Sequence, residues 1–264
     1  METQNSFSIK RFFLLCKQSL IINKKLIGIS FGGFSGILFI VLMLNQIGSN
    51  FTNWDNKDFM GTFAFLFFSL GIVYAGLSFP AFRSKEKSMA YLLLPASAPE
   101  KFVFELVNRI LVFIILMPLL FWIIANLEGT VTHYFVPGFK NYRFSFVEAL
   151  SKITNQDQFD GWAGFGCVQG VLFLFIVSFT GASHFSKAPL IKTIFAIPLL
   201  AAGYALFTYL LVKIMGLKGF HPENDKVLFI GNAHQAIIFA GIAVTVVNLC
   251  LLSIAYFRLK EKEA

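Results

Sequence analysis

The stretch that decides the fold is MGTFAFLFFSLGIVYAGLSFPAF, residues 60–82, which has no acidic or basic residue in its 23 positions. A helix that crosses a bilayer needs about 20 mainly apolar residues, so this stretch is long enough to span one. Other stretches of the chain are similarly free of charge. The sequence therefore predicts an all-α membrane protein with six transmembrane helices: Leu26–Ile47, Met60–Phe82, Ile110–Leu127, Trp162–Ser183, Thr193–Val212 and Ala236–Tyr256.

The composition excludes several classes of protein. Hydrophobic residues make up 56% of the 264-residue chain and charged residues only 14%, against about 25% in an average soluble domain. A disordered chain is poorer in apolar residues, and a soluble nucleic-acid-binding protein carries charge densely on its surface. The three cysteines, Cys16, Cys167 and Cys250, lie far apart and match no metal-binding spacing, so neither a metal site nor a disulfide framework is expected.

The distribution of basic residues predicts the orientation of the chain. Segments 1–25, 83–109, 184–192 and 257–264 carry 15 of the 22 Lys and Arg residues, and the alternate segments carry 7. Including the acids, the first set has a net charge of +9 and the second −1, which together give +8. Because cytoplasmic loops are enriched in Lys and Arg, both termini are expected in the cytoplasm, and the positive charge is not interpreted as a nucleic-acid site.

The N-terminal segment 1–25 precedes the membrane domain, which occupies 26–257 and is followed by a short tail, 258–264. In this segment Lys10, Lys17 and Lys24 recur every seven residues, and Arg11, Gln18 and Lys25 follow the same spacing one position later. On a helix these residues line one polar face. The pattern predicts an amphipathic helix on the anionic cytoplasmic surface of the membrane. An ordinary positively charged tail is the alternative.

The loop between spans two and three is RSKEKSMAYLLLPASAPEKFVFELVNR, residues 83–109, and its central part, 83–103, contains an apolar run too short to span. Ser97 and Glu100 form a capping-box pattern with Pro99 in the first turn, so a helix is expected to begin at Ala98 and continue through Leu127. A separate short helix is expected before the rigid corner at Pro95. A reinforced loop lying on the membrane is the simpler alternative.

The phrase EKSMAYLLLPASAPEKF, Glu86–Phe102, resembles the cytoplasmic loop of permease subunits of type 2 ATP-binding-cassette (ABC) exporters. The surface helix, six spans and internal termini resemble the same family. The resemblance implies a membrane permease driven by a separate cytoplasmic ATPase, in the cell membrane and with a bacterial inner membrane expected. The ATPase-contacting residues it implies are Lys85, Glu86, Lys87, Met89, Tyr91, Pro95, Ser97, Glu100 and Lys101. The chain differs from the family in its last outer loop, 215–235, which Gly and Pro residues interrupt.

The expected second partner is another permease subunit. Gly28, Gly32 and Gly36 form two overlapping G-x-x-x-G units, which let helix backbones approach closely. Span five offers a matching patch of small residues, and the family resemblance implies that spans one and five meet at the subunit interface. We therefore expect a homodimer whose interface contains Gly28, Gly32, Gly36, Ala201, Ala202, Gly203 and Ala205.

The absence of certain motifs limits the classes of function that are expected for this chain. The chain has no G-x-x-x-x-G-K-[ST] motif, so we expect no enzyme activity, cofactor or metal in this chain, and ATP hydrolysis by the partner. Spans two, four, five and six contain no acidic residue, and Arg109 is expected to pair with Glu105 rather than drive ion-coupled transport. A non-transporting scaffold or assembly protein remains open. A remote alternative is an intramembrane serine protease using Ser35 and His234.

Overall fold

The computed structural model describes residues 7–48, 56–80, 89, 91, 96–136, 143–154, 161–185, 188–214 and 233–263. In these residues the regular structure is helical, as predicted. The main helices are α1 (Ile9–Gly48), α2 (Asn56–Gly76), α3 (Ala98–Leu106), a π-helical turn (Val107–Leu111), α4 (Val112–Phe135), α5 (Phe146–Thr154), α6 (Gly161–His184), α7 (Pro189–Ile214) and α8 (Ala233–Glu263).

Within the described residues, five helical segments are long and apolar enough to cross a membrane, which indicates a multi-pass membrane protein. They are Ile9–Gly48, Asn56–Gly76, Ala98–Phe135, Gly164–His184 and Ile238–Lys262. The remaining predicted span, Thr193–Val212, falls within α7. That helix is 26 residues long, and the part whose side chains are described continuously, Pro189–Leu199, is apolar. The count of six spans stays a prediction.

Helix α1 differs from the sequence prediction. A surface helix followed by a separate span was expected, but α1 is continuous over 40 residues. At about 1.5 Å per residue it is roughly 60 Å long, about twice the thickness of a hydrocarbon core. The physical reason is that no Gly or Pro occurs between Ile9 and Ile27, so nothing in the sequence interrupts the helix before the predicted span begins.

Helix α3 begins at Ala98 with Ser97 as its N-cap, as the capping-box pattern predicts. It continues through the π-helical turn Val107–Leu111 into α4, and it ends at Phe135, beyond the predicted Leu127. The π-helical turn was not predicted. Such single-turn insertions occur inside α-helices and are frequent at functional sites. Here the turn contains Arg109.

The first of two compact units comprises Met1–Gly71 and Pro95–Phe159. Its core contains a cluster of phenylalanine rings, packed with Leu38 and Leu42 of α1. Phe144, which precedes α5, has its ring centroid 5.5 Å from Phe59 of α2 and 5.5 Å from Phe121 of α4. Phe146, at the start of α5, lies 5.0 Å from Phe63. The short helix α5 therefore packs its first residues into the core of this unit.

The second unit comprises Ile72–Leu94 and Asp160–Ala264, and α6 packs along α8 within it. Three glycines permit close packing in this unit, and a Cβ on the first, Gly76, would lie 3.0 Å from the Leu190 side chain. A Cβ on Gly241 would lie 3.1 Å from the Phe165 ring, and a Cβ on Gly181 would overlap the Thr193 side chain. Phe79 adopts a left-handed backbone conformation (φ 53°), and its buried ring lies 5.0 Å from Phe179.

Candidate functional site

The predicted ATPase-contacting residues fall into three groups. Lys85, Glu86, Lys87 and Pro95 lie outside the described residues. Met89 and Tyr91 belong to the second unit, and the Met89 side chain is 65% exposed. Ser97, Glu100 and Lys101 belong to the first unit, where all three are buried. The structure therefore provides one strongly exposed apolar side chain at the predicted loop.

Glu100 is fully buried, and its carboxylate contacts three donor groups: the N–H of Ser97, the N–H of Ser8 and the guanidinium of Arg11. Its Oε2 accepts a hydrogen bond of 2.9 Å from the N–H of Ser97, which closes the first turn of α3. Its Oε1 accepts a bond of 2.7 Å from the N–H of Ser8 and lies 3.0 Å from a guanidinium nitrogen of Arg11. Because ionised partners strengthen hydrogen bonds, this carboxylate fixes the start of α1 to the start of α3.

Burial changes the role expected for these residues. Lys101 is 3% exposed and Ser97 is 8% exposed, so a partner protein has no access to either side chain in this arrangement. Direct contact with an ATPase was the sequence prediction for Ser97, Glu100 and Lys101. In this arrangement their side chains lie inside the unit, and their contact with an ATPase stays a prediction.

Arg109 is paired as the sequence predicts. Its Nε lies 3.5 Å from Oε2 of Glu105, one helical turn earlier, and both side chains are largely buried. The pair stands at the π-helical turn. A guanidinium that is neutralised in this way is a structural element of the helix and gives no indication of an ion pathway.

The predicted dimer-interface glycines lie on an open face of α1. Gly28, Gly32 and Gly36 are exposed, and a Cβ added to any of them would meet no atom within 4 Å. These glycines therefore do not serve packing among the described residues of the chain. In α7, Ala202 is exposed, and the side-chain surroundings of Ala201, Gly203 and Ala205 are outside the described part.

The sequence did not predict a role for a further buried carboxyl, that of Glu128, because this residue lies directly after the apolar run 110–127. Glu128 is fully buried. Its Oε2 accepts a hydrogen bond of 2.9 Å from Nε2 of Gln46, and its Oε1 accepts one of 2.6 Å from the Thr132 hydroxyl. A polar residue four positions later on the same helix face was the signal available in the sequence.

Glu100 and Glu128 together determine how α1 lies on the α3–α4 segment. Arg11, near the start of α1, contacts Glu100 near the start of α3. Gln46, near the end of α1, contacts Glu128 near the end of α4. The two helical segments therefore run parallel. The start of α1 and Ser97, the residue before α3, lie on the same side of this unit.

The other concave features are open and mainly apolar. A groove of about 420 Å³ is lined by Pro118, Leu119 and Trp122 of α4 and by Phe146 of α5. A second groove, of about 470 Å³, lies between Asn45 of α1 and Thr62 of α2. Neither groove contains a buried charged side chain, and in the described part of the chain no three His, Cys, Asp or Glu residues are grouped to hold a metal ion.

Comparison with known proteins finds no family model, no curated protein and no solved structure that matches this chain. The family of the chain is therefore not established by similarity. A functional proposal has to stand on the loop sequence and on the contacts described above.

Proposed function

We propose that the chain is the permease subunit of an ABC-type exporter, which forms a substrate pathway as a homodimer and is driven by a separate cytoplasmic ATPase. The loop phrase Glu86–Phe102 and the apolar helices support this proposal. The chain itself has no P-loop motif, so the energy for transport comes from the partner. In this proposal both termini and the 83–103 loop are cytoplasmic, and the membrane is a bacterial inner membrane.

The observation that carries the proposal is the junction at Glu100. This carboxylate joins the residue that ends the loop, Ser97, to Ser8 and Arg11 of α1. Because α1 and α3–α4 are both long enough to cross a membrane, a displacement of the loop end would be passed to two membrane helices at once. A permease driven from the cytoplasm requires such a mechanical connection, whereas a scaffold has no need of one.

The docking part of the loop is the segment before Ser97. Met89 offers an exposed apolar side chain, and the sequence places Lys85, Glu86 and Lys87 directly before it. Interfaces combine a buried apolar centre with a polar rim, and this segment has both parts. In the proposal the ATPase buries Met89 and Tyr91, and the charges set its orientation.

The test is a pull-down of the ATPase with the double variant Glu86→Lys/Tyr91→Ala. We expect this variant to insert and dimerise as the wild type does, to lose its ATPase partner and to lose transport-coupled ATP hydrolysis. Tyr134→Ala/Phe135→Ala, at the exposed opposite end of the long helix, is the matched control and should retain the partner. Equal ATPase binding by wild type and the double variant would show that this loop is not the docking site.

The dimer has its own test, because the open glycine face of α1 provides a matched pair of variants. Gly32→Ile adds a large side chain within the Gly28–Gly36 row and should lower the dimer fraction in detergent. Gly33→Ile adds the same side chain to an equally open glycine outside that row and should leave the dimer fraction unchanged. An equal effect of the two variants would contradict the proposed interface.

Two alternative functions, a scaffold and an intramembrane protease, can each be tested. A non-transporting scaffold or assembly protein becomes the better proposal if neither wild type nor control captures an ATPase. The intramembrane protease needs Ser35 close to His234, and the surroundings of the His234 side chain are outside the described part. Retained function in a Ser35→Ala variant would remove the protease from consideration.

A further inference from the structure

Among the described carboxyl groups of the first unit, that of Glu128 combines complete burial with neutral partners. The residue is 0% exposed, and its two hydrogen-bond donors, Gln46 and Thr132, are each 1% exposed. The donors approach different oxygens, at 2.9 Å for the amide Nε2 and 2.6 Å for the hydroxyl. The carboxyl group is therefore enclosed between α1 and α4, with no contact to solvent.

The described charged groups on the elements around Glu128 are exposed. The end of α1, Met43–Gly48, has no titratable residue. On α4 itself His133 is exposed, and at the start of α2 Lys57 and Asp58 are exposed. On α5, Glu148 is exposed and accepts a hydrogen bond of 2.9 Å from Asn56. Among the described residues, Glu128 has no ion pair, and the side chain of Lys152 of α5 lies outside them.

Burial of an ionised carboxylate without a counter-charge costs far more free energy than binding a proton. Two neutral donors do not supply the missing charge. The side-chain amide of Gln46 carries both an N–H donor and a carbonyl acceptor, so it can also receive the O–H of a neutral acid. The carboxyl group has no exposed surface, and a proton, unlike a hydrated cation, needs no cavity beside it.

We propose that Glu128 is a proton-binding site within the membrane domain, neutral at neutral pH, and that its bound proton allows the end of α1 to remain attached to α4. Release of the proton leaves a charge inside an apolar contact, which weakens the attachment at this end of the two helices. The Arg11–Glu100 contact at the other end involves an ionised pair and is independent of that proton. This inference does not depend on the proposed exporter function.

Infrared spectroscopy of the purified full-length protein in lipid tests the protonation state directly. At neutral pH the wild type should show the C=O stretching band of a protonated carboxyl, which shifts in deuterated water. The band should be absent in Glu128→Gln and retained in Glu148→Gln, an exposed glutamate of the same unit. If wild type and Glu128→Gln have identical spectra in this region, Glu128 is ionised and the proposal is wrong.

Thermal unfolding provides the second measurement. A group that binds a proton in the folded state and loses it on unfolding stabilises the protein at acidic pH, and this contribution declines as pH rises. The wild-type midpoint should therefore fall relative to that of Glu128→Gln between weakly acidic and neutral pH. If Glu128→Gln and Lys152→Gln instead lower the midpoint equally at neutral pH, an ion pair with Lys152 neutralises Glu128, which overturns the proposal.

Discussion

The two ends of the contact between α1 and the α3–α4 segment use the same residue type in different ways. Glu100 and Glu128 are both fully buried. Glu100 faces a guanidinium and two backbone N–H groups, whereas Glu128 faces an amide and a hydroxyl. Burial alone therefore does not determine what a carboxyl does in this protein. The donors around it decide whether it anchors as a charge or as a neutral acid.

The difference agrees with the position of each residue in the proposed mechanism, in which a displacement of the loop end is passed to α1 and to α3–α4. Glu100 joins α1 to the end of the loop, where an ATPase would act, and a charged contact there is strong and independent of a proton at neutral pH. Glu128 joins the other ends of the same helices. One end is then fixed, and the other is held by an attachment that depends on a proton.

The largest effect is expected for Glu100→Ala. This variant leaves the Arg11 guanidinium and the N–H groups of Ser8 and Ser97 without their acceptor. Removing one member of a buried ion pair costs roughly 3–5 kcal/mol. Because the Arg11 side chain is 31% exposed, we expect the low end of that range. Denaturant unfolding in detergent measures the loss.

The control for Glu100→Ala is Glu261→Ala, which removes an exposed carboxylate paired with Arg258 at 2.8 Å. An exposed ion pair contributes about 0.2–1 kcal/mol, so this variant should unfold almost as the wild type does. Similar losses for the two glutamates would contradict the anchoring role of Glu100. Hydrogen exchange at the start of α1 should rise only in Glu100→Ala.

A smaller effect is expected for Thr132→Val. The substitution keeps the shape of the side chain and removes the hydroxyl that donates to Glu128. If Glu128 is neutral, one ordinary hydrogen bond is lost, which costs roughly 0.5–1.5 kcal/mol. The free energy of unfolding at neutral pH measures the cost. A loss as large as that of Glu100→Ala would indicate that the hydroxyl supports a charge.

The smallest effect is expected for Arg11→Lys. The ammonium group keeps the positive charge beside Glu100 but has no planar fork of donors. Because the site is partly exposed, the change should cost about 0.2–1 kcal/mol. Comparing the thermal unfolding of Arg11→Lys with that of Arg11→Gln separates the contribution of the positive charge from that of the guanidinium geometry. An equal loss in both variants would show that the guanidinium shape, and not the charge, holds α1.

How much the sequence predicted depends on how far apart the interacting residues are. The start of α3 was predicted because Ser97 and Glu100 are three positions apart and follow a local pattern. Arg11 and Ser8 as partners of Glu100 were not predicted, because nothing local connects residues about 90 positions apart. The contact between Gln46 and Glu128 was not predicted for the same reason, because the two residues are far apart in the sequence. Each lies near the edge of a predicted span, where a polar residue is expected and draws no attention.

Helix α1 and Phe144 show two further limits of what the sequence can predict. The heptad spacing of Lys10, Lys17 and Lys24 suggested a separate surface helix, although the absence of a helix breaker favoured the continuous helix that is observed. Phe144 belongs to a loop of mixed composition, yet its ring is buried between Phe59 and Phe121. Its burial depends on tertiary packing of α2 and α4, which hydropathy along the chain does not describe.

The most direct test of the exporter proposal is a site-specific crosslink from the loop. A photo-crosslinking side chain at position 89, which is exposed, should capture a P-loop ATPase in native membranes, identified by mass spectrometry. The same side chain at position 134, exposed at the far end of α4, should not capture it. No ATPase at position 89, or equal capture at both positions, would contradict the proposal that this loop couples the chain to an ATPase.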